Sequence, residues 1–157
     1  MRRDYFELAV ENVDWVSEGG EPREPSVHID FRGPEELLRE RLTDVEGDLL
    51  DAGETDVSFR LHDTVDTQQV SGVVGVTNRL TGDFILELNQ EADDVLQFIR
   101  AAREYGRETD ELDGRYRVDI SIDGDHVVSY EKSTFLVYDV EGNLLRGRSL
   151  IPSGVEL

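Results

Sequence analysis

Apolar positions along residues 83–107, DFILELNQEADDVLQFIRAAREYGR, follow two rhythms in succession. Phe84 to Leu88 reads as a strand. Val95, Phe98, Ile99, Ala102 and Tyr105 then fall at i, i+3, i+4, i+7 and i+10, one face of a 3.6-residue helix. Asn89 is the expected N-cap, and Glu91, Asp93 and Asp94 place negative charge on the positive end of the helix dipole. Arg100, Arg103 and Arg107 occupy the second half, where cations are favoured, and Gly106 is the expected stop. This helix is the longest amphipathic element of the chain, and the apolar runs elsewhere read as strands that it covers.

Residues 4–10 alternate, with Phe6, Leu8 and Val10 on one side, and Val13, Trp15 and Val16 extend that strand past a bulge. The stretch 17–25, SEGGEPREP, is a loop. SVHIDF (26–31) turns Val27, Ile29 and Phe31 inward. Pro34 then opens a short helix with Leu37, Leu38 and Leu42 as its stripe. DVSFRLH (56–62) and the valine-rich 70–80 read as strands, with Gly72 and Gly75 marking a bulge or close packing. RYRVDISI (115–122) alternates strictly, Asp123-Gly124 signals a hairpin, and HVVSYE, FLVYD and LLRGRSLI follow as strands. The order β-β-α-β-β-β-α-β-β-β predicts an α+β two-layer sandwich, a largely antiparallel sheet of about 7–9 strands with two helices on one face. Strand, helix and a run of strands occur twice, from residue 26 and from residue 83. That order raises a βαβββ duplication, although the two stretches barely match residue by residue.

The 157 residues suffice for a single domain, 1–157, burying about 68–70% of its unfolded surface. Thirty-six acidic residues against sixteen basic ones give a net charge of −20, and Lys132 is the sole lysine among those sixteen. The acids are dispersed rather than gathered in a tail. A dispersed carboxylate surface that binds hydrated monovalent cations is the pattern of a salt-adapted cytosolic protein. No apolar run reaches the ~18 residues of a membrane span, and MRRDYFELAV has no signal core, so a cytoplasmic location is expected. The absence of cysteine excludes disulfides, thiolate chemistry and sulfur-ligated zinc.

Candidate chemistry is sparse. His28, His62 and His126 are scattered without an HxH or HExxH spacing and read as solvated surface residues. His62-Asp63 with Asp66 is a weak candidate for a cation or an acid–base pair, and a polar loop accounts for it equally well. Asp139, Glu141 and Asn143 resemble the start of a calcium loop but lack its glycine and closing glutamate, so a hairpin turn explains them better. Neither GxGxxG, a P-loop lysine nor a GxSxG elbow occurs, and no cofactor is implied. The remaining candidate is cationic: Arg100, Arg103 and Arg107 share a helix face, and Arg115 and Arg117 project from the next strand. Together they would make an anion- or partner-binding patch on a polyanion, unless Glu104, Glu108, Glu111 and Asp119 neutralise them. Net charge opposes nucleic-acid binding. The C-terminal Leu144, Leu145, Leu150, Ile151, Val155 and Leu157 are read as a last core strand in preference to a pairing edge for a second copy.

In MRRDYFELAVENVDW and EPSVHIDFRGPEELLRERL the chain resembles a haloarchaeal family of small uncharacterised acidic proteins, over essentially its whole length. The resemblance implies habitat and unknown function, and it carries no catalytic residues across. The function expected is that of a non-catalytic protein-interaction domain, working as a homodimer or adaptor. A ligand-binding domain or enzyme with a pocket between helix and sheet is one alternative. A nucleic-acid-associated regulator using the arginine patch is the other.

Overall fold

The computed structural model describes residues 5–62, 71–109 and 113–152, and these form a mixed α+β fold. Its strands are β1 (Phe6–Glu11), β2 (Ser26–Phe31), β3 (Thr55–Leu61), β4 (Ser71–Asn78), β5 (Phe84–Glu91), β6 (Tyr116–Ile122), β7 (Asp125–Lys132) and β8 (Leu136–Tyr138). Its helices are α1 (Trp15–Glu18), α2 (Glu35–Arg41) and α3 (Ala92–Glu108). The eight strands divide into two four-stranded sheets, ordered β1-β2-β6-β7 and β5-β4-β3-β8. Each sheet contains one parallel pairing, β2 with β6 and β3 with β8, and the remaining neighbours are antiparallel. Parallel neighbours need long crossovers, so local alternation carries no signal for them. β2 is an interior strand whereas β5 lies at an edge, so the two stretches that open the strand–helix–strand runs occupy unlike places.

The inward residues of both sheets join α2 and α3 in one buried cluster. Phe31, Leu38, Phe59, Leu86, Ile99, Tyr116 and Ile120 are among its most enclosed members. Phe98 of α3 packs edge-on against Tyr116 at 5.4 Å, and Tyr116 meets Phe135 at 5.7 Å. Such pairs add to the roughly 1.5–3 kcal/mol from burying each large side chain. Among the described residues, no helix is long and apolar enough to cross a membrane.

Several expected boundaries move, each for a physical reason. Asn89 is not the N-cap of α3. β5 continues to Glu91 because β4 offers partners as far as Ser71↔Glu91, and Glu91 takes the cap position. Ladder pairing outweighs the local capping preference. Gly106 does not stop α3 but lies buried inside it, where a Cβ would come within 2.5 Å of the Asp113 carbonyl oxygen. The missing side chain lets the following segment cross close to the helix. Residues 13–16 do not extend β1: Asn12 takes φ 65°, α1 follows, and Gly19 at φ 74° ends it. The expected last strand is a 3₁₀ turn at Arg146–Arg148, flanked by single bridges Tyr138↔Leu144 and Phe135↔Leu150. Leu150 is nonetheless buried in the core. Met1–Asp4, 63–70, 110–112 and 153–157 are outside the described residues, and with them Asp63, Asp66, Glu111, Val155 and Leu157.

Lys132 is 7% exposed, and its Nζ donates to the carbonyls of Ala52 and Thr55 at 2.7 and 2.6 Å. Burial lowers its pKa. A compact ammonium on a narrow stem reaches two converging carbonyls that a planar guanidinium fork would overfill. The single lysine is therefore an internal tether between β7 and the 52–55 turn.

Candidate functional site

The five arginines singled out by sequence separate into two groups. Arg100, Arg103 and Arg107 lie along α3. Arg107 pairs with Glu104 at 2.9 Å, while the Arg103 Nη2 donates to the Ser149 carbonyl at 3.0 Å. The Arg103 bond pins the chain after the 146–148 turn against α3, so Arg146 and Arg148 arrive beside the helix. Arg100 and Arg148 are exposed and have no acidic partner among the described residues. Two adjoining grooves result. One, of about 320 Å³, is lined by Asp93, Gln97, Arg100, Arg103 and Arg148. The other, of about 450 Å³, is lined by Arg103, Arg107, Asp113 and Arg146. Gly147 borders both, and no neighbouring atom would touch a Cβ there. Arg146 and Arg148 were missed in the sequence because LLRGRSLI reads as a strand; the signal was a glycine between two arginines, a poor strand centre.

Arg115 and Arg117 face outward from the sheet containing β6, and their charge is already used. The Arg115 Nε lies 2.7 Å from Glu24 and 3.9 Å from Glu131, and its guanidinium rests over the Tyr105 ring at 5.7 Å. Its hydrogen bond to Glu24 raises its pKa further. Arg117 pairs with Asp119 at 2.9 Å and donates to the Ser129 hydroxyl at 3.2 Å. The neutralising partners are thus Glu104 and Asp119, as the sequence suggested, together with the sequence-distant Glu24 and Glu131.

Asp119 is the hub of a polar ladder across all four strands. Its carboxylate accepts from Ser129 and sits 3.4 Å from the His28 Nδ1, whose Nε2 in turn lies 3.5 Å from Glu11. The His126 Nε2 is 2.7 Å from the Ser129 Oγ. Burial pushes the Asp119 pKa up, but hydrogen bonds from Ser129 and Arg117 and the charges of Arg117 and His28 outweigh it and hold the carboxyl below its ordinary value. Two of the three histidines read as scattered therefore converge, because the parallel pairing sets His28 opposite Asp119. Serine, histidine and aspartate together suggest a nucleophile, but the arrangement differs from a catalytic relay. Ser129 donates directly to Asp119, and His126 approaches both through the same nitrogen, so the imidazole does not stand between them.

A family model describing a family of unknown function, DUF5793, matches residues 1–157. The chain belongs to that family. Neither the curated proteins nor the solved structures provide a match. The DUF5793 assignment names no activity, so the chemistry must be weighed from the residues themselves. Among the described residues, no group of three or more histidine, aspartate or glutamate side chains could hold a metal ion. His62 is exposed at the end of β3, beyond which the expected Asp63 and Asp66 lie outside the described residues. Asp139 accepts backbone N–H groups from Glu141 at 2.9 Å and Asn143 at 2.8 Å, which lowers its pKa and makes this DUF5793 segment a turn. Between the sheets and α3 lies an apolar cavity of about 30 Å³, lined by residues such as Ile29, Val57, Phe98 and Val118. Ligand pockets are typically about 300–1,000 Å³, so this space suits a few atoms at most.

Proposed function

We propose that the protein is a non-catalytic interaction domain, a homodimer or adaptor, whose contact surface is the outward face of α3 with the 146–148 turn. The observation that carries this reading is the pair of exposed guanidiniums, Arg100 and Arg148, beside Arg103 in one groove of a chain with net charge −20. Several arginines elsewhere are matched to carboxylates, as Arg39 with Glu35 and Arg79 with Asp56, while Arg41 and Arg60 donate to the backbone carbonyls of Phe84 and Val140. Unmatched cations on a polyanion are suited to an acidic protein surface. The nucleic-acid alternative called for all five arginines on one unpaired surface, and Arg107, Arg115 and Arg117 have acidic partners. The ligand-pocket alternative is weakened by the size of the apolar cavity.

Light scattering in molar KCl, with a titration of poly-L-glutamate in lower salt, tests the reading. A mass above the 17.8 kDa monomer, or saturable binding of the acidic polymer, is expected. Either should be lost in Arg100→Glu/Arg148→Glu. A monomer that ignores the polymer would contradict it.

The wider reading is of a salt-adapted, archaeal, cytoplasmic protein, supported by the dispersed acids and by arginine standing almost everywhere a surface lysine would. Its melting temperature should fall as KCl is removed and self-repulsion grows. The shared core supports viewing the two sheets with α2 and α3 as a layered sandwich. The unlike positions of β2 and β5 lend a βαβββ duplication little support.

A further inference from the structure

We infer that the partner for this surface is a second copy of the chain, with the two α3 helices antiparallel about a twofold axis between Leu96 and Gln97. The inference rests on the interaction reading above and names its occupant. Asp93 and Arg100 are both exposed, and neither has a partner among the described residues. They stand seven residues apart, on the same side of the helix and roughly 10 Å from each other along its axis. That separation is too great for them to neutralise one another. An antiparallel twofold at 96/97 sets Asp93 opposite Arg100 of the second copy, and Arg100 opposite its Asp93. It also sets Leu96, half-buried in the groove, against Gln97 at the centre, where an interface is driest.

The pattern extends beyond one pair. Acidic residues open α3, with Glu91 at its cap and Asp93 in its first turn, and Arg100 and Arg103 follow past Gln97, ahead of the Glu104–Arg107 pair. Antiparallel helices bring those two stretches together and oppose their dipoles, whereas parallel helices would set like against like. A twofold contact uses the same patch on both copies, so one self-complementary stripe suffices.

Sedimentation velocity on the full chain provides the test, with wild type, Asp93→Arg, Arg100→Asp and the double exchange, each checked for native near-UV circular dichroism. The wild type should be a dimer. Each single exchange should weaken it at least about tenfold, and the double exchange should restore it. Mixing the two single variants should produce a heterodimer, since each facing pair across the axis then combines one positive and one negative charge. A wild-type monomer, a dimer that both single exchanges leave intact, or a double exchange as weak as the singles would each overturn the inference. If the monomer still binds poly-L-glutamate, the interaction reading survives while the twofold contact falls.

Discussion

Replacing Gly106 by alanine sets two effects against each other. Gly106 lies in the last turns of α3, and alanine is favoured over glycine in a helix by roughly 0.8–1.0 kcal/mol. On propensity alone Gly106→Ala stabilises. The new Cβ, however, would lie 2.5 Å from the Asp113 carbonyl oxygen, 2.8 Å from its carbon and 2.9 Å from the Gly114 Cα. All three are backbone atoms, so no side chain can swing aside. The crossing segment is itself held, because the Arg115 N–H donates to the Ala102 carbonyl and Gly114 packs against Leu150. Overpacking of this kind costs about 1–3 kcal/mol, and subtracting the helical gain leaves a net loss of up to about 2 kcal/mol. At this chain length that lowers the melting temperature by up to about 8 °C. Thermal unfolding followed by far-UV circular dichroism in molar KCl reads it. Gly147→Ala is the control, since nothing lies within 4 Å of a Cβ there. A melting temperature that rises for Gly106→Ala would refute the close crossing and return Gly106 to an ordinary helical position.

Three further outcomes follow from single side chains. Ile99→Asp places a carboxylate where the side chain is 2% exposed; chemical denaturation should record a loss of several kcal/mol, on the order of the cost of an unpaired buried charge. Lys132→Met keeps the stem but leaves the Ala52 and Thr55 carbonyls without their donor, and should lower stability by about 1–3 kcal/mol with amide exchange quickening first in the 50–55 turn. Glu131 has its pKa raised to about 7, first by burial and then by its hydrogen bond and repulsion with Glu24. The folded chain thus holds that proton more tightly than the unfolded one, and this contribution to stability is present below the ordinary glutamate range and lost as pH rises towards 7. The side chain is 54% exposed, so solvent screening keeps the effect small. Denaturant midpoints between pH 5 and 7 should fall less steeply in Glu131→Gln than in the wild type, and parallel curves would refute the coupling.

Much of the fold was legible because local periodicity reports which face is buried. SVHIDF became β2 without adjustment, Asp123-Gly124 supplied the left-handed pair of a hairpin turn, and Val95, Phe98, Ile99 and Ala102 form the buried stripe of α3. The division into two sheets was not legible, since it depends on β2 joining β6 and β3 joining β8 across most of the chain. The same distances hid the fate of the arginines. Arg115 is neutralised by Glu24, from the loop before β2, and no window along the sequence contains both. His28 and His126 looked scattered until strand register drew them around Asp119. Arg148 was hidden for a different reason: its apolar neighbours imitate a strand, while the structure bends them into a 3₁₀ turn that Arg103 holds against α3.

Because the chain has no cysteine, a single engineered one can report whether α3 meets a second copy. Gln97→Cys lies beside the inferred axis, so two copies would bring their Cα atoms within the roughly 7 Å that a disulfide allows. Asp125→Cys, exposed at the start of β7, is the control. Mild oxidation in molar KCl should convert Gln97→Cys to a covalent dimer on non-reducing gels while Asp125→Cys stays monomeric. Equal, slow cross-linking of both would contradict the assignment of α3 as the contact surface between copies.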